Sequence, residues 1–242
     1  MPAAACTWWD QALQVAGYQT MEKRLSPQAT WEEVLASGRE DLQPALTLAG
    51  MTTGPEKKVL DLGCGVGRIS QALAEYFGEV VGVDPSSSLI TEARARNRHS
   101  HVSYRVHAEE HLLPTCSHYF DVVFSYEVLY YLPPQEVRGY FHDVARLLKP
   151  GGEFVFQMNL APIHAITRVS GWVRTMLYGM GIQYWRGWPT TPALRRRPYT
   201  RLWLGRELAA AGLILRRVCE HRNERQTWLV ARKPEEINRR HG

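Results

Sequence analysis

From Lys57 onward, apolar and polar residues alternate between short strand-like runs and longer helix-like stretches. The runs KKVLDL (57–62), EVVGVD (79–84), HVSYRV (101–106), FDVVFS (120–125) and EFVFQM (153–158) are rich in β-branched or aromatic residues, and each predicts a strand. Between them, 67–77, 86–97 and 134–148 predict helices, the first carrying Ile69, Leu73 and Phe77 on one side. KPGG (149–152) predicts a turn. Strands that alternate with helices form a parallel sheet covered on both faces, with right-handed crossovers. The rhythm breaks over 160–200, where Trp, Tyr, Arg and Pro accumulate. It resumes with a helix over 203–211 and two runs, LILRRVCE (213–220) and RQTWLVAR (225–232), whose short connection predicts an antiparallel hairpin. Residues 1–55 read as helices. Thr30 and Glu33 have capping-box spacing, and Leu42, Ala45, Leu46, Leu48 and Ala49 give a second helix its apolar content, with Gly50 at its end.

Composition narrows this picture. A chain of 242 residues with 45% hydrophobic content suits one α/β domain that needs no disulfide or metal staple. The expected organisation is an N-terminal helical segment (1–56), a core (57–158), a lid or substrate segment (159–200), the end of the core (201–234) and a tail (235–242). No run of 18 apolar residues is present, so no spanning helix is expected. The start, MPAAACTWWDQ, lacks the basic-then-apolar pattern of a secretory signal. Cys6, Cys64, Cys116 and Cys219 form no C-x-x-C pair, which predicts no metal site and a reducing, cytoplasmic setting. Charge is divided unevenly. Residues 1–159 hold 13 Lys+Arg against 19 Asp+Glu, and residues 160–242 hold 16 against 5. The basic third is either a solvated face with a loose tail, or an attractor for an acidic substrate, nucleic acid or anionic lipid.

The chemistry is concentrated in VLDLGCGVGRIS (59–70), where a strand ending near Asp61 passes through Gly63, Gly65 and Gly67 into a helix. Glycines serve where the backbone turns sharply and a ligand approaches it closely, and the helix N-terminus then faces that ligand. The P-loop pattern is absent. A dinucleotide G-x-G-x-x-G would need its third glycine at position 68, which is Arg68. Asp84 ends the next strand, where one carboxylate can accept from both hydroxyls of a ribose.

The pattern Asp-x-Gly-x-Gly-x-Gly resembles the first motif of the class I S-adenosylmethionine (SAM) dependent methyltransferases. VVGVDPS, HAEEHLLP (107–114), FDVVFSYEVLYYLP (120–133) and LLKPGGEFVFQ (147–157) continue the resemblance in order, strongly over 57–158 and moderately over 199–234. It implies an α/β fold with a Rossmann-like seven-stranded sheet, mostly parallel with a C-terminal antiparallel hairpin, plus N-terminal helices and a helical, aromatic lid. It also implies SAM as cofactor and S-adenosylhomocysteine as product. The cofactor-binding set implied is Asp61, Gly63, Cys64 through its backbone, Gly65, Gly67, Asp84, Pro85, Ala108, Glu109, Ser125 and Tyr126. Arg39, in SGREDL (37–42), and Arg68 are implied partners of the SAM carboxylate. Glu109 stands where the family usually has Asp on the adenine amino group.

Methyl transfer from a sulfonium requires alignment and exclusion of water above all, and a base only where the acceptor must lose a proton. No fixed catalytic triad is visible. Tyr130, Tyr131, Asn159 and His164 are the candidate catalytic residues, with Glu127 beside them; family members often place His where this chain has Tyr131. Trp172, Tyr184, Trp185 and Trp188 in the lid are candidate substrate contacts. Ile166, Val169, Val173, Met176, Leu177 and Met180 give part of the lid helical spacing, either as core or as a pocket wall with Arg168, Arg174, Arg186 and Arg195 to Arg197. The expected function is methyl transfer to an O, N or C atom of a small molecule, acidic or aromatic in character. A methyltransferase acting on RNA or protein, and a SAM-binding protein without activity, are the alternatives, and a nicotinamide oxidoreductase is disfavoured by Arg68.

Overall fold

The computed structural model describes residues 18, 22, 24–26, 28–107, 111–160, 165–182, 184–185, 188–190, 196–220 and 227–235. In chain order the elements are α1 (Trp31–Thr47), β1 (Gly54–Leu62), α2 (Arg68–Leu73), β2 (Phe77–Asp84), α3 (Ser87–Ala95), β3 (Val102–Val106), β4 (Phe120–Ser125), α4 (Pro134–Leu147), β5 (Leu148–Met158), α5 (Ala165–Gly179), β6 (Tyr184–Trp185), β7 (Trp188–Pro189), α6 (Arg201–Ala210), β8 (Ile214–Glu220) and β9 (Thr227–Arg232). Seven strands form one sheet in the order β3-β2-β1-β4-β5-β9-β8. β1 to β5 run parallel, and β9 lies antiparallel to both β5 and β8, as the C-terminal hairpin reading requires.

The continuous apolar runs reflect burial on both faces. Side chains alternate across each strand. Leu60, Val81, Val123 and Phe154 therefore face Phe141, Val144, Leu204 and Leu208 of α4 and α6. Their neighbours Val59, Val80, Val122 and Val155 face Leu42, Ala45, Leu73 and Ile90 of α1 to α3. The strand order reverses at β1, which pairs with β2 on one side and β4 on the other. A crevice at the carboxyl ends of these strands is where open α/β sheets bind ligands.

Three expectations change. Residues 31–47 form one helix rather than two, with Pro44 inside it, and Gly50 (φ 61°) lies beyond its end. Its capping box is present: Glu33 accepts from the Thr30 N–H at 2.7 Å, and Thr30 Oγ1 accepts from the Glu33 N–H. Second, the helix expected over 67–77 stops at Leu73. Phe77 instead opens β2 and pairs with Gly54, because sheet pairing gives its ring a buried place that another helical turn would not. Third, KPGG is a bulged part of β5. Phe120 pairs with Leu148 and Val122 with Glu153, and the extra residues are held through Gly151 N–H to Lys233 O (3.0 Å).

Candidate functional site

The loop from β1 to α2 shows why it needs glycine. Gly63 has φ 79° and Gly67 has φ 81°. A Cβ at Gly63 would run into the Val128 side chain, and one at Gly67 into the Tyr104 phenol. Glycine is therefore required twice over, by the positive φ and by the close approach of Val128 and Tyr104 to the backbone. The loop is held from below: Gly63 and Cys64 donate to Val83 O (2.8 and 3.0 Å), and Gly67 donates to Cys64 O (2.9 Å). The Asp84 carboxylate receives the Gly65 N–H at 3.0 Å and the Ser86 N–H at 2.9 Å, which ties the end of β2 to the loop. Cys64 is buried, burial pushes its thiol well above its ordinary value, and only its backbone serves the loop. Ser125 Oγ donates to Leu62 O at 3.1 Å and pins β4 to β1. Pro85 is half-buried beside Asp84.

Asp61 lies beneath the loop, 2% exposed, and receives the Ser70 hydroxyl at 2.6 Å. Burial pushes its carboxyl up to about 6, against the Ser70 hydrogen bond and the Arg68 charge. The folded chain thus holds this proton more tightly than the unfolded chain, whose value is near 3.8. The stabilisation that follows is full at low pH and is lost as pH rises through about 6. Relative to wild type, Asp61→Asn is expected to gain about 3 kcal/mol between acid and neutral pH, two pKa units at about 1.4 kcal/mol each. Urea unfolding across that range is the check. A constant difference would show that Asp61 does not titrate there.

Arg68 is buried, but its guanidinium does not point at open space. It binds Asp41 at 2.6 Å, approaches Glu22 at 3.9 Å and lies 5.4 Å over the Tyr126 ring. Arg24 closes the cluster by binding Asp41 at 2.6 Å and Glu22 at 3.0 Å. Burial raises the Asp41 carboxyl above its usual value despite the arginines. Burial also disfavours charge on Glu22, but Arg24 and Arg68 hold its carboxyl below the usual range. The expected carboxylate partner is therefore already engaged by two acids of its own chain. Arg39 is placed differently. Its side chain is exposed and pairs with Glu75 at 2.6 Å, beyond the far end of α2 from the glycines. Gly38 lets α1 pass close to the start of α2, since a Cβ there would strike the Arg68 carbonyl.

On the other side of the crevice, the chain after β4 turns at Glu127 (φ 55°), a strained conformation for a residue with a side chain. A 3₁₀ turn over Leu129–Tyr131 follows. Tyr130 is buried, and its ring centroid lies 4.6 Å from that of Tyr131. Burial and the Glu127 charge raise both phenols, so they keep their protons at neutral pH. Arg196 binds Glu127 at 3.4 Å and stacks 5.4 Å over Tyr130. Arg197 N–H donates to Tyr130 O at 2.7 Å, and Tyr199 bridges Asn159 O (2.9 Å) and Leu132 O (2.6 Å). The segment 196–199 thus binds the loops after β4 and β5 together. The sequence reading treated these arginines only as part of a basic lid, and no spacing signal links them to Glu127.

Of the lid candidates, Trp185 is half-buried and pairs with Trp188 across the β6–β7 ribbon, with Tyr184 opposite Pro189. Trp172 is 62% exposed on the outer side of α5, turned away from the sheet by its helical position. Ala108, Glu109 and His164 lie outside the described residues, as do Cys6, Arg186 and Arg195. Among the described residues no group of acids, histidines and cysteines could hold a metal, and no helix is long and apolar enough to cross a membrane.

A glycine loop after β1 tied to an acid at the end of β2, in a parallel sheet that ends in an antiparallel hairpin, is the Rossmann-like fold of the class I SAM-dependent methyltransferases. Residues 60–156 match the family described as "Methyltransferase domain", so this stretch of the chain is a methyltransferase domain. It is 36% identical over 118 residues to a ubiquinone biosynthesis O-methyltransferase of Coxiella burnetii, covering 48% of this chain and 46% of that protein. It is equally similar, over 126 residues, to the protein of the same name from Idiomarina loihiensis, covering 48% and 51%. The chain thus spans about half the length of the curated relatives it matches. The fold is shared with magnesium protoporphyrin IX methyltransferase from Synechocystis PCC 6803 with bound S-adenosylhomocysteine (TM-score 0.61, 18% identity, 94% and 99% covered). It is also shared with phosphoethanolamine N-methyltransferase 1 from Haemonchus contortus (TM-score 0.64, 20% identity, 99% and 50% covered).

Proposed function

We propose that this protein transfers the methyl group of SAM to an oxygen of a small molecule. The observation that carries the reading is the Gly63–Gly67 cradle tied to the Asp84 carboxylate. The names of the curated relatives support oxygen as the acceptor atom. SAM, when bound, supplies an electrophilic methyl group on a sulfonium. The backbone at Gly63, Gly65 and Gly67 would take its amino-acid part, and Asp84, with Pro85 beside it, would take its ribose. Asp61 and Arg68 set the charge beneath and beside that place. Ser125, Tyr126, Ala108 and Glu109 complete the proposed cofactor set. The chain works as one domain, with 1–56 as its N-terminal segment and 159–200 as its lid or substrate segment.

On the acceptor side, Tyr130 and Tyr131 stay protonated and orient by donating hydrogen bonds. Glu127, a carboxylate placed among them, is the proton acceptor in this reading, and Asn159 positions the loop that faces it. Tyr184, Trp185 and Trp188 are the acceptor contacts in this reading and would help to keep water out.

Asp84→Ala tests the reading. The loss of a charged hydrogen-bonding group costs about 1.5–3 kcal/mol. SAM affinity measured by calorimetry should therefore fall roughly 10- to 150-fold, with the far-ultraviolet circular dichroism unchanged. Wild-type affinity in the variant would remove Asp84 from the site, and no SAM binding by the wild type would remove the function.

A further inference from the structure

One face of α4 meets the loop that follows β3. Tyr140, Asp143 and Arg146 stand three residues apart on that helix. The Tyr140 ring meets the His107 ring edge-on, with centroids 5.8 Å apart. The Asp143 carboxylate is buried, accepts from the Leu112 N–H at 2.9 Å and lies 3.5 Å from His111 Nδ1. Arg146 binds that carboxylate at 3.0 Å and donates to the carbonyls of Leu112, Leu113 (3.2 Å) and Cys116. Its own carbonyl accepts from the His118 N–H at 2.9 Å. A planar guanidinium can serve four acceptors at once, which the three donors of a lysine cannot.

The loop held in this way is strained. Leu113 (φ 45°) and His118 (φ 50°) lie in the left-handed region, which residues with side chains adopt only where their surroundings impose it. Such conformations gather where a ligand must meet a fixed surface. The position of the loop tells which part of the ligand that is. β3 pairs with β2 up to Val106 opposite Asp84, and the His107 N–H donates to Asp84 O at 2.9 Å. In the reading proposed above, the loop after β1 takes the amino-acid part of SAM and the end of β2 takes its ribose. The base leaves the ribose on the side opposite the amino-acid chain. In the strand order β3-β2-β1 it therefore falls beyond β2, at the loop that follows β3.

We propose that Arg146 and Asp143 are positioning residues for the adenine of the cofactor: they hold the loop after β3 in the conformation that tells the amino group of adenine from the oxo group of hypoxanthine. Both act through the loop and not on the base. Arg146 fixes the loop from Leu112 to Cys116, while the Tyr140 ring and the Asp84 carbonyl fix it at His107. Glu109 lies between these two anchors in the sequence. The proposal rests on the SAM reading of the glycine loop and Asp84, and adds to it the groups that select the base.

Calorimetry with S-adenosylhomocysteine and S-inosylhomocysteine tests it on the full chain and needs no acceptor. The two compounds differ only in the amino or oxo group of the purine and in the proton that the neighbouring ring nitrogen then carries. Wild type should bind the adenosyl compound roughly ten-fold or more tightly. Arg146→Met should cut that preference to roughly three-fold or less, because the loop loses the group that gathers its carbonyls. Asp143→Asn keeps an acceptor for the Leu112 N–H but loses the ion pair, and should give an intermediate preference. A variant that is merely less stable loses apparent affinity for both compounds in equal proportion, so the ratio separates positioning from folding. A wild-type ratio in both variants would overturn the proposal. If Arg146→Met does not fold, the ratio in Asp143→Asn decides alone. Wild type that binds both compounds equally would also overturn it, and would leave the SAM reading standing. Wild type that binds neither would remove the SAM reading and the proposal with it.

Discussion

Arg68→Met is expected to lower folding stability by about 3–5 kcal/mol, because it strands carboxylates in a buried place. Arg68 is 6% exposed, Asp41 8% and Glu22 9%, and Arg68 makes the 2.6 Å contact to Asp41. Without it, only the half-exposed Arg24 faces the two acids. Burial already lifts the Asp41 carboxyl above its ordinary value, and removal of Arg68 lifts it further. The variant's folded state should then take up a proton at Asp41. Its deficit should be full above that raised value and should shrink as pH falls through it. Urea unfolding at neutral pH and at about pH 5 measures both terms. A loss under about 1 kcal/mol at neutral pH would mean that the cluster behaves as an exposed ion pair. SAM affinity should fall as well, since Arg68 opens α2 directly after Gly67.

Trp228→Ala should be as costly, about 3–5 kcal/mol, through cavity formation. Trp228 is fully buried in β9, opposite Gln157 of β5 and Cys219 of β8, and its ring lies 5.9 Å from both Phe124 and Tyr126. It therefore couples the antiparallel hairpin to the parallel half of the sheet beside the site. For a chain of this size each kcal/mol lowers Tm by about 2–4 °C. The indole N–H finds no hydrogen-bond partner among the described residues, so Trp228→Phe should cost far less than the alanine change. Equal Tm losses for the two would show that the N–H, and not the volume, matters. A loss of SAM binding out of proportion to stability would show that Tyr126 depends on this packing.

The cofactor side was legible because its information is local. Seven strands, the hairpin and the Gly63–Gly67 loop depend on residue type at short spacing: β-branched runs buried on both faces, and glycines where φ is positive. The Thr30–Glu33 capping box is legible for the same reason. Asp84 could be placed at the end of β2 by spacing alone. Its bonds to Gly65 and Ser86 could not, since they depend on how β2 sits against the loop.

Only the tertiary structure decided which charges meet. Arg39 and Arg68 look alike in sequence, yet one pairs with Glu75 at the surface and the other is locked between Asp41 and Glu22, because α1 crosses α2 at Gly38 and buries only the second. Glu127 meets Arg196 across 69 residues, a separation that no periodicity encodes. Helical spacing grouped Ile166, Val169, Val173, Met176, Leu177 and Met180, and the fold divides that group, leaving Val173 and Leu177 half-buried and Val169, Met176 and Met180 exposed, because spacing fixes which residues lie near one another on a helix and only packing fixes what they meet. The sequence by itself thus determined the sheet, the crevice and the cofactor class, all of which rest on short-range backbone and burial rules. The ion cluster behind the crevice, the loops tied together on its acceptor side and the outward face of α5 rest on long-range packing, which the folded chain alone decides.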